Sequence, residues 1–253
     1  MQAVTKGAPK ELLRVNGMPA IYHAVLQGWA NGISQVAIII REGKETISRS
    51  FQERKFVASH FPGAVDLFEE FRKNLEIVFF YQSHPRGECD ALDLGRKYIG
   101  AGPALVVYPD NIVVSGLVAV KEVVDRFVTQ GCPTIGLKRI WNADEPNSGG
   151  KIKVEACEDG LFNIIHFCSK DHPGFDCSPI YRTSGIYVAD PIFFDYISTA
   201  KERYPQGEIT DDKVRQLMLK DGHSFIGVPL LSRVYDIGSL NGYANCLKAF
   251  VKK

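Results

Sequence analysis

A chain of 253 residues, 45% hydrophobic and 23% charged, is long enough to bury a full core, as one large α/β domain or as one domain with a small appendage. Thirty basic against 29 acidic residues leave a net charge of +1, which excludes a global electrostatic pull toward nucleic acid or an anionic membrane but leaves room for a local anion site. The longest apolar runs, VAIII at 36 to 40 and IVVSGLVAV at 112 to 120, fall short of the roughly 20 residues of a membrane span, and no apolar signal region follows Met1.

The first helix follows Pro19, with Ile21, Ala24, Val25 and Trp29 at helical spacing and Gly32 placed to end it. QVAIII at 35 to 40 has the apolar, β-branched character of a strand. A helix over about 44 to 51, an acidic and aromatic helix around 65 to 73, a strand IVFFY at 77 to 81 and a helix over about 88 to 98 continue a βα rhythm. Strands that alternate with helices imply right-handed crossovers and a parallel sheet. The stretch ALVVYPDN at 104 to 111, bounded by Pro103 and interrupted by Pro109, reads as another parallel strand, covered on both faces and ending at a carboxylate. Ligands in open α/β sheets collect just beyond the carboxyl ends of such strands, which makes Asp110 a site candidate. Asp110 and Asn111 fit a simple turn after Pro109 equally well.

A helix near 117 to 129, closed by Gly131, and the strand PTIGL come next. From Trp141 the texture changes to the loop NADEPNSGG and two alternating segments, KIKVEA and LFNIIHFC, joined by the turn EDG; this is the pattern of a half-exposed antiparallel hairpin. YRTSGIYVAD resumes a buried strand, Asp190 and Pro191 open a helix as N-cap and first residue, and Thr210 with Asp211 and Asp212 opens another. HSFIGVPL, VYDIGS and an amphipathic helix carrying Tyr243, Leu247, Phe250 and Val251 close the chain.

The six cysteines, at 89, 132, 157, 168, 177 and 246, form no C-x-x-C pair and no regular framework, which predicts free thiols in a reducing cytoplasm. His166, Cys168, His172 and Cys177 crowd within twelve residues, but their spacing matches no zinc-ligand pattern.

Eight short motifs occur in one order: TKGAPKELL at 5 to 13, YQSHPRGECDAL at 81 to 92, VVYPDN at 106 to 111, SGGKIKVE at 148 to 155, CSK at 168 to 170, SGIYV at 184 to 188, GEITD at 207 to 211 and YDIGS at 235 to 239. This order resembles the sugar-1-phosphate nucleotidyltransferases, and within them the bacterial UTP:glucose-1-phosphate uridylyltransferases. The likeness to the uridylyl branch rests on TKGAPKELL, on the long helical insert between the strands at 35 to 40 and 77 to 81, and on YDIGSLNGY.

The resemblance implies a Rossmann-like α/β nucleotidyltransferase fold with a mainly parallel central sheet and a small β-rich sugar-binding lobe. It implies one domain over 1 to 253, with a nucleotide-binding half over about 1 to 140 and a sugar-phosphate half with the C-terminal helix over about 141 to 253. The implied partners are UTP and a sugar 1-phosphate, with no nucleic acid and no membrane, and a homo-oligomer is compatible with the sequence. The implied cofactor is Mg²⁺, held by Asp110 and Asp236, since hard carboxylate oxygens suit it. Lys10 matches the family lysine that contacts triphosphate, and Lys170 the lysine that holds the sugar phosphate. Gln82 and Gly87 match the residues that read the pyrimidine edge. Asn111 belongs with the substrate-binding residues, and Gly150, Ser184 and Glu208 match positions around the sugar hydroxyls. Taken alone, Lys10 and Lys170 are ordinary solvated lysines, Gly87 a turn glycine and Gln82 a polar strand end.

The departures are specific. Ser169 stands where the family usually has a glutamate that accepts from sugar hydroxyls, and GECD replaces Gly-Leu-Gly-His or Gly-Leu-Ala-Gln. The family opens with a strand and a Gly-rich phosphate loop, and the expectation is that this chain starts after that point, at an internal or misassigned Met1, or that residues from elsewhere fill the gap. Two rival readings follow: thymidylyl transfer, and a non-catalytic relative that binds nucleotide sugar without releasing pyrophosphate.

Overall fold

The structure is a computed structural model that describes residues 7–114, 116–140, 150–168 and 180–251. Its strands are β1 (Arg14–Val15), β2 (Met18–Pro19), β3 (Gln35–Arg41), β4 (Glu76–Gln82), β5 (Ala104–Val107), β6 (Asn111–Val113), β7 (Thr134–Arg139), β8 (Lys151–Ala156), β9 (Phe162–Cys168), β10 (Tyr181–Ala189), β11 (Ile226–Pro229) and β12 (Val234–Asp236). The α-helices are α1 (Ala20–Trp29), α2 (Thr46–Gln52), α3 (Arg54–His60), α4 (Val65–Asn74), α5 (Glu88–Ile99), α6 (Gly116–Gln130), α7 (Pro191–Arg203), α8 (Asp211–Lys220) and α9 (Leu240–Val251). Two compact units interleave along the sequence. One comprises Met1–Ser83, Tyr108–Leu117 and Val234–Lys253, the other His84–Val107 and Val118–Arg233.

In the first unit, the fixed φ of Pro19 sets up α1, and Gly32, at a φ of 88° and bonded to the Trp29 carbonyl, closes the turn after it. The buried face of α1, with Ile21, Tyr22 and Val25, packs into an aromatic core in which Tyr22 lies 4.9 Å from Phe51 and 5.2 Å from Phe71. β3 and β4 pair in parallel from Gln35↔Glu76 to Arg41↔Gln82, which fixes Gln82 at the carboxyl end of its strand. The insert between them holds three α-helices. α3 was not foreseen, because RKFVASH fully buries Val57 alone and so carries little periodic signal. A second, smaller core of Val15, Ala20, Ile112, Ile237 and Cys246 lies at the β6–β12 ladder, whose register is Val234↔Val113 to Asp236↔Asn111.

In the second unit, six strands run in the order β5-β10-β7-β11-β9-β8. The expectation of a mainly parallel sheet is corrected here. β10 runs antiparallel to both β5 and β7, and among the described strands the parallel pairings are β3–β4 and β7–β11. β5 is therefore an edge strand in antiparallel pairing, and the fold is a mixed α/β one. The reason is legible in β10: every residue from Ser184 to Ala189 is buried, and a strand covered on both faces shows one continuous apolar run in either direction.

β8 and β9 form the expected hairpin, turned by Asp159 and Gly160 at φ values of 60° and 72°. α7 and α8 begin at the expected caps, with the Asp190 and Thr210 side chains accepting from the Phe193 and Lys213 N–H groups. α8 packs on α7 and on β9. Cys89, Cys132, Cys157 and Cys246 are free, but Cys168 is disulfide-bonded, which corrects the expectation of free thiols throughout. No helix among the described residues is long and apolar enough to cross a membrane.

Candidate functional site

Three of the expected site residues meet in the first unit. Asp110 does not simply terminate β5, which belongs to the other unit. It sits in the turn that starts β6, where the Asn111 N–H bonds the Tyr108 carbonyl at 3.1 Å, and it is locked to the end of β12 by the Ile237 N–H on its own carbonyl at 2.9 Å. The β6–β12 ladder places Asp236 opposite Asn111. Sequence reasoning missed this three-residue strand because it merges into the longer apolar run that opens α6. Asp236 is oriented by the Gly238 N–H, which donates to its Oδ1 at 2.7 Å. A Cβ on Gly238 would stand 2.8 Å from that oxygen and 3.9 Å from Asp110 Oδ2, so both carboxylates approach Gly238 and lie near each other.

Lys10 completes the group, with its Nζ 2.5 Å from Asp110 Oδ2. Burial works against the lysine charge, but the Asp110 charge and hydrogen bond, with Glu11 and Asp236 behind them, outweigh it and raise its pKa above the ordinary value. Glu11 is itself bridged to Lys44 at 3.0 Å. Among the described residues no group of three or more His, Cys, Asp or Glu forms a ready-made metal cage. Two neighbouring carboxylates still fit Mg²⁺, which is commonly held by one or two carboxylates and completes its shell with water and phosphate oxygens. The arrangement can neutralise and position phosphate groups. It offers no activated Ser or Cys nucleophile.

The remaining candidates divide between the units. Gln82, at the end of β4, is buried in the first unit. Gly87 caps α5 in the second at a φ of 104°, and a Cβ there would lie 2.7 Å from the Ile209 carbonyl oxygen and 2.9 Å from its nitrogen. The glycine is thus demanded by the GEITD backbone, which bonds the Arg86 carbonyl and the Cys89 N–H on either side. Glu208 is exposed and lends its carbonyl to Lys213 at 3.0 Å.

Ser184 is fully buried, with its hydroxyl accepting from the Ile186 N–H and turned toward Gly136, so its side chain faces the core rather than a surface site. Thr183 next to it does face Gly150: its Oγ1 accepts from the Gly150 N–H at 2.9 Å, and its own N–H bonds the Gly150 carbonyl at 3.1 Å. Lys170 lies outside the described residues.

Sequence reasoning also missed a charged cluster at the start of α8. Arg215, only 1% exposed, forms ion pairs with Asp211 at 3.0 Å and Asp212 at 3.9 Å and lies 4.1 Å above the Tyr187 ring. Glu88 accepts from the Asp211 N–H, and burial together with the Asp211 charge raises its pKa. The signal was present in the i, i+3 and i, i+4 spacing of Asp212 and Asp211 to Arg215.

The family model described as "Nucleotidyl transferase" matches residues 1–253. The UTP–glucose-1-phosphate uridylyltransferase 1 of Staphylococcus saprophyticus is 28% identical over 258 residues, covering 98% of this chain and 87% of that protein. The UTP–glucose-1-phosphate uridylyltransferase of Staphylococcus epidermidis is 26% identical over 271 residues, covering 98% and 92%. The crystal structure of a UDP-glucose pyrophosphorylase complexed with UDP-glucose superposes with a TM-score of 0.83 at 21% identity, covering 98% of this chain and 92% of that one, which shows the shared fold.

Proposed function

The chain belongs to the nucleotidyl transferase family, and from that premise we propose that it transfers a uridylyl group from UTP to glucose 1-phosphate, forming UDP-glucose and pyrophosphate. An oxygen of the sugar phosphate bonds to the α-phosphorus as the bond from that phosphorus to the bridging pyrophosphate oxygen breaks, and pyrophosphate leaves with the electron pair. Two anions must approach each other, so catalysis is mostly charge neutralisation and in-line positioning, and no protein nucleophile is required.

The observation that carries this reading is the grouping of Lys10, Asp110 and Asp236. Lys10 is the group that meets triphosphate oxygens, and its raised pKa keeps it charged at neutral pH. Asp110 and Asp236 would hold Mg²⁺, whose charge when bound offsets that of the phosphates. Gln82 and Gly87 are our candidates for reading the pyrimidine, with Gly150 and Glu208 for the sugar and Lys170 for its phosphate. The substrates are phosphorylated metabolites, and we place the reaction in the cytoplasm.

Incubating the protein with Mg²⁺, glucose 1-phosphate and either UTP or dTTP, while following pyrophosphate release, tests the proposal. Faster release with UTP supports uridylyl transfer. Faster release with dTTP assigns the thymidylyl reaction instead, and nucleotide-sugar binding without release marks a non-catalytic relative.

A further inference from the structure

Resting on the proposed sugar-phosphate reaction, we infer that Arg86 is a positioning residue, whose guanidinium holds the exposed segment 205–208 in the shape that presents Glu208 to the sugar. The Arg86 Nη2 donates to the carbonyls of Tyr204 and Pro205, each at 2.9 Å, so its two protons are both engaged on one side of the segment. On the other side the Arg86 carbonyl accepts from the Ile209 N–H at 2.6 Å, and the Ile209 carbonyl accepts from the Cys89 N–H at 3.1 Å. One residue thus fixes both ends of the segment, by its side chain at 204 and 205 and by its main chain at 209. Lys213 on α8 adds a second cation: its Nζ donates to the Glu208 carbonyl at 3.0 Å and lies 5.3 Å from the centre of the Tyr204 ring.

Stability of the core does not account for this clamp. Pro205, Gln206, Gly207 and Glu208 are all exposed, so the segment buries little apolar surface, and Gly207 at a φ of 98° adds backbone freedom. Ordering such a stretch costs conformational entropy that its own packing does not offset. Nor is Arg86 needed to join α5 to α7. Lys201 of α7 already bridges Asp90 and Asp93 of α5 at 3.0 and 2.8 Å, and Arg96 of α5 donates to the Phe194 carbonyl of α7 at 2.9 Å. Arg86 reaches past Arg203, the last residue of α7, to two carbonyls of the loop beyond it. What the side chain orders is therefore the loop, and Glu208 is the charged residue that the loop carries. Replacing the side chain leaves the Arg86 carbonyl on Ile209, so Gly87 keeps its place while Glu208 loses its own.

The test compares the full-length protein with Arg86→Met, which keeps the apolar stem, and with Arg86→Lys, which keeps a charged donor. Hydrogen exchange of the 204–210 segment is read by mass spectrometry, and KM is measured separately for glucose 1-phosphate and UTP. In Arg86→Met the expected result is a roughly ten- to hundredfold rise in exchange confined to that segment and in KM for glucose 1-phosphate, the scale of hydrogen bonds from a charged donor. KM for UTP and the melting temperature should stay as in wild type, and Arg86→Lys should restore most of the loss. In a Glu208→Ala background Arg86→Met should raise the sugar-phosphate KM no further, because the two substitutions remove one interaction. Unchanged exchange, an unchanged sugar-phosphate KM, an additive effect on Glu208→Ala, or an Arg86→Met protein that unfolds or loses affinity for both substrates alike overturns the assignment. Wild type that binds UDP-glucose without releasing pyrophosphate refutes the reaction alone, since exchange and calorimetric binding of UDP-glucose still test Arg86. A folded wild type that binds no UDP-glucose refutes both.

Discussion

Replacing Gly87 by Ala separates the structural demand on this glycine from any contact with a nucleotide. The new Cβ would lie 2.7 Å from the Ile209 carbonyl oxygen and 2.9 Å from its nitrogen, both backbone atoms that cannot swing aside. The residue also sits at φ 104° and ψ 177°, a region that L side chains avoid, at a cost of about 1 to 3 kcal/mol. Overpacking against a fixed neighbour adds about 1 to 3 kcal/mol. A total near 4 kcal/mol in a chain of this size lowers the melting temperature by roughly 8 to 16 °C. Gly222→Ala is the control, because Gly222 has a similar φ of 90° but nothing within 4 Å of its would-be Cβ, so it incurs backbone strain alone. Thermal unfolding without nucleotide, followed by circular dichroism, reads both. Equal shifts in the two variants, or a Gly87→Ala protein as stable as wild type, would refute the close approach of Ile209 as the reason for glycine.

Asp110→Asn and Asp236→Asn should each reduce pyrophosphate release by about a hundredfold or more while far-UV circular dichroism stays native, because the Lys10–Asp110 pair is half exposed and worth no more than about 1 kcal/mol to the fold; undiminished, Mg²⁺-dependent turnover in Asp110→Asn sinks the metal assignment. Buried His23 has its pKa lowered from 6.5, chiefly by burial and against its Val15 carbonyl bond. Below pH about 6.5 the unfolded chain then binds the proton that folded His23 refuses, so stability falls as pH drops from 7 to 5, and His23→Leu should flatten that slope in urea titrations. On the proposed uridylyl reaction, rates should favour UTP or dTTP over ATP and GTP, since a wrong base leaves buried groups unpaired; equal use of ATP contradicts this.

What the sequence disclosed follows physical rules that act locally. α1, β3, β4 and the caps at Asp190 and Thr210 were legible because Pro19, the β-branched run at 35 to 40 and short polar caps each act on their immediate neighbours. The direction of β10 was not legible, since burial on both faces removes the alternation that would report its partners. At the site, Lys10, Asp110 and Asp236 emerged from motif order, and their meeting depends on β6, a strand of three residues with too little pattern to see. Ser184 and Thr183 show the reverse problem: adjacent strand residues face opposite sides, and a one-residue choice decides which hydroxyl meets the core. Arg215 was hidden because a charged residue on a helix reads as solvated unless its aromatic surroundings are known.

The most direct test of the central claim follows label from UTP. The protein is incubated with Mg²⁺, glucose 1-phosphate and UTP labelled at either the α- or the γ-phosphorus. The account predicts that α-label appears in UDP-glucose and γ-label in pyrophosphate, in equal amounts. A folded protein that leaves both labels in UTP, or that sends α-label only to free UMP, contradicts it.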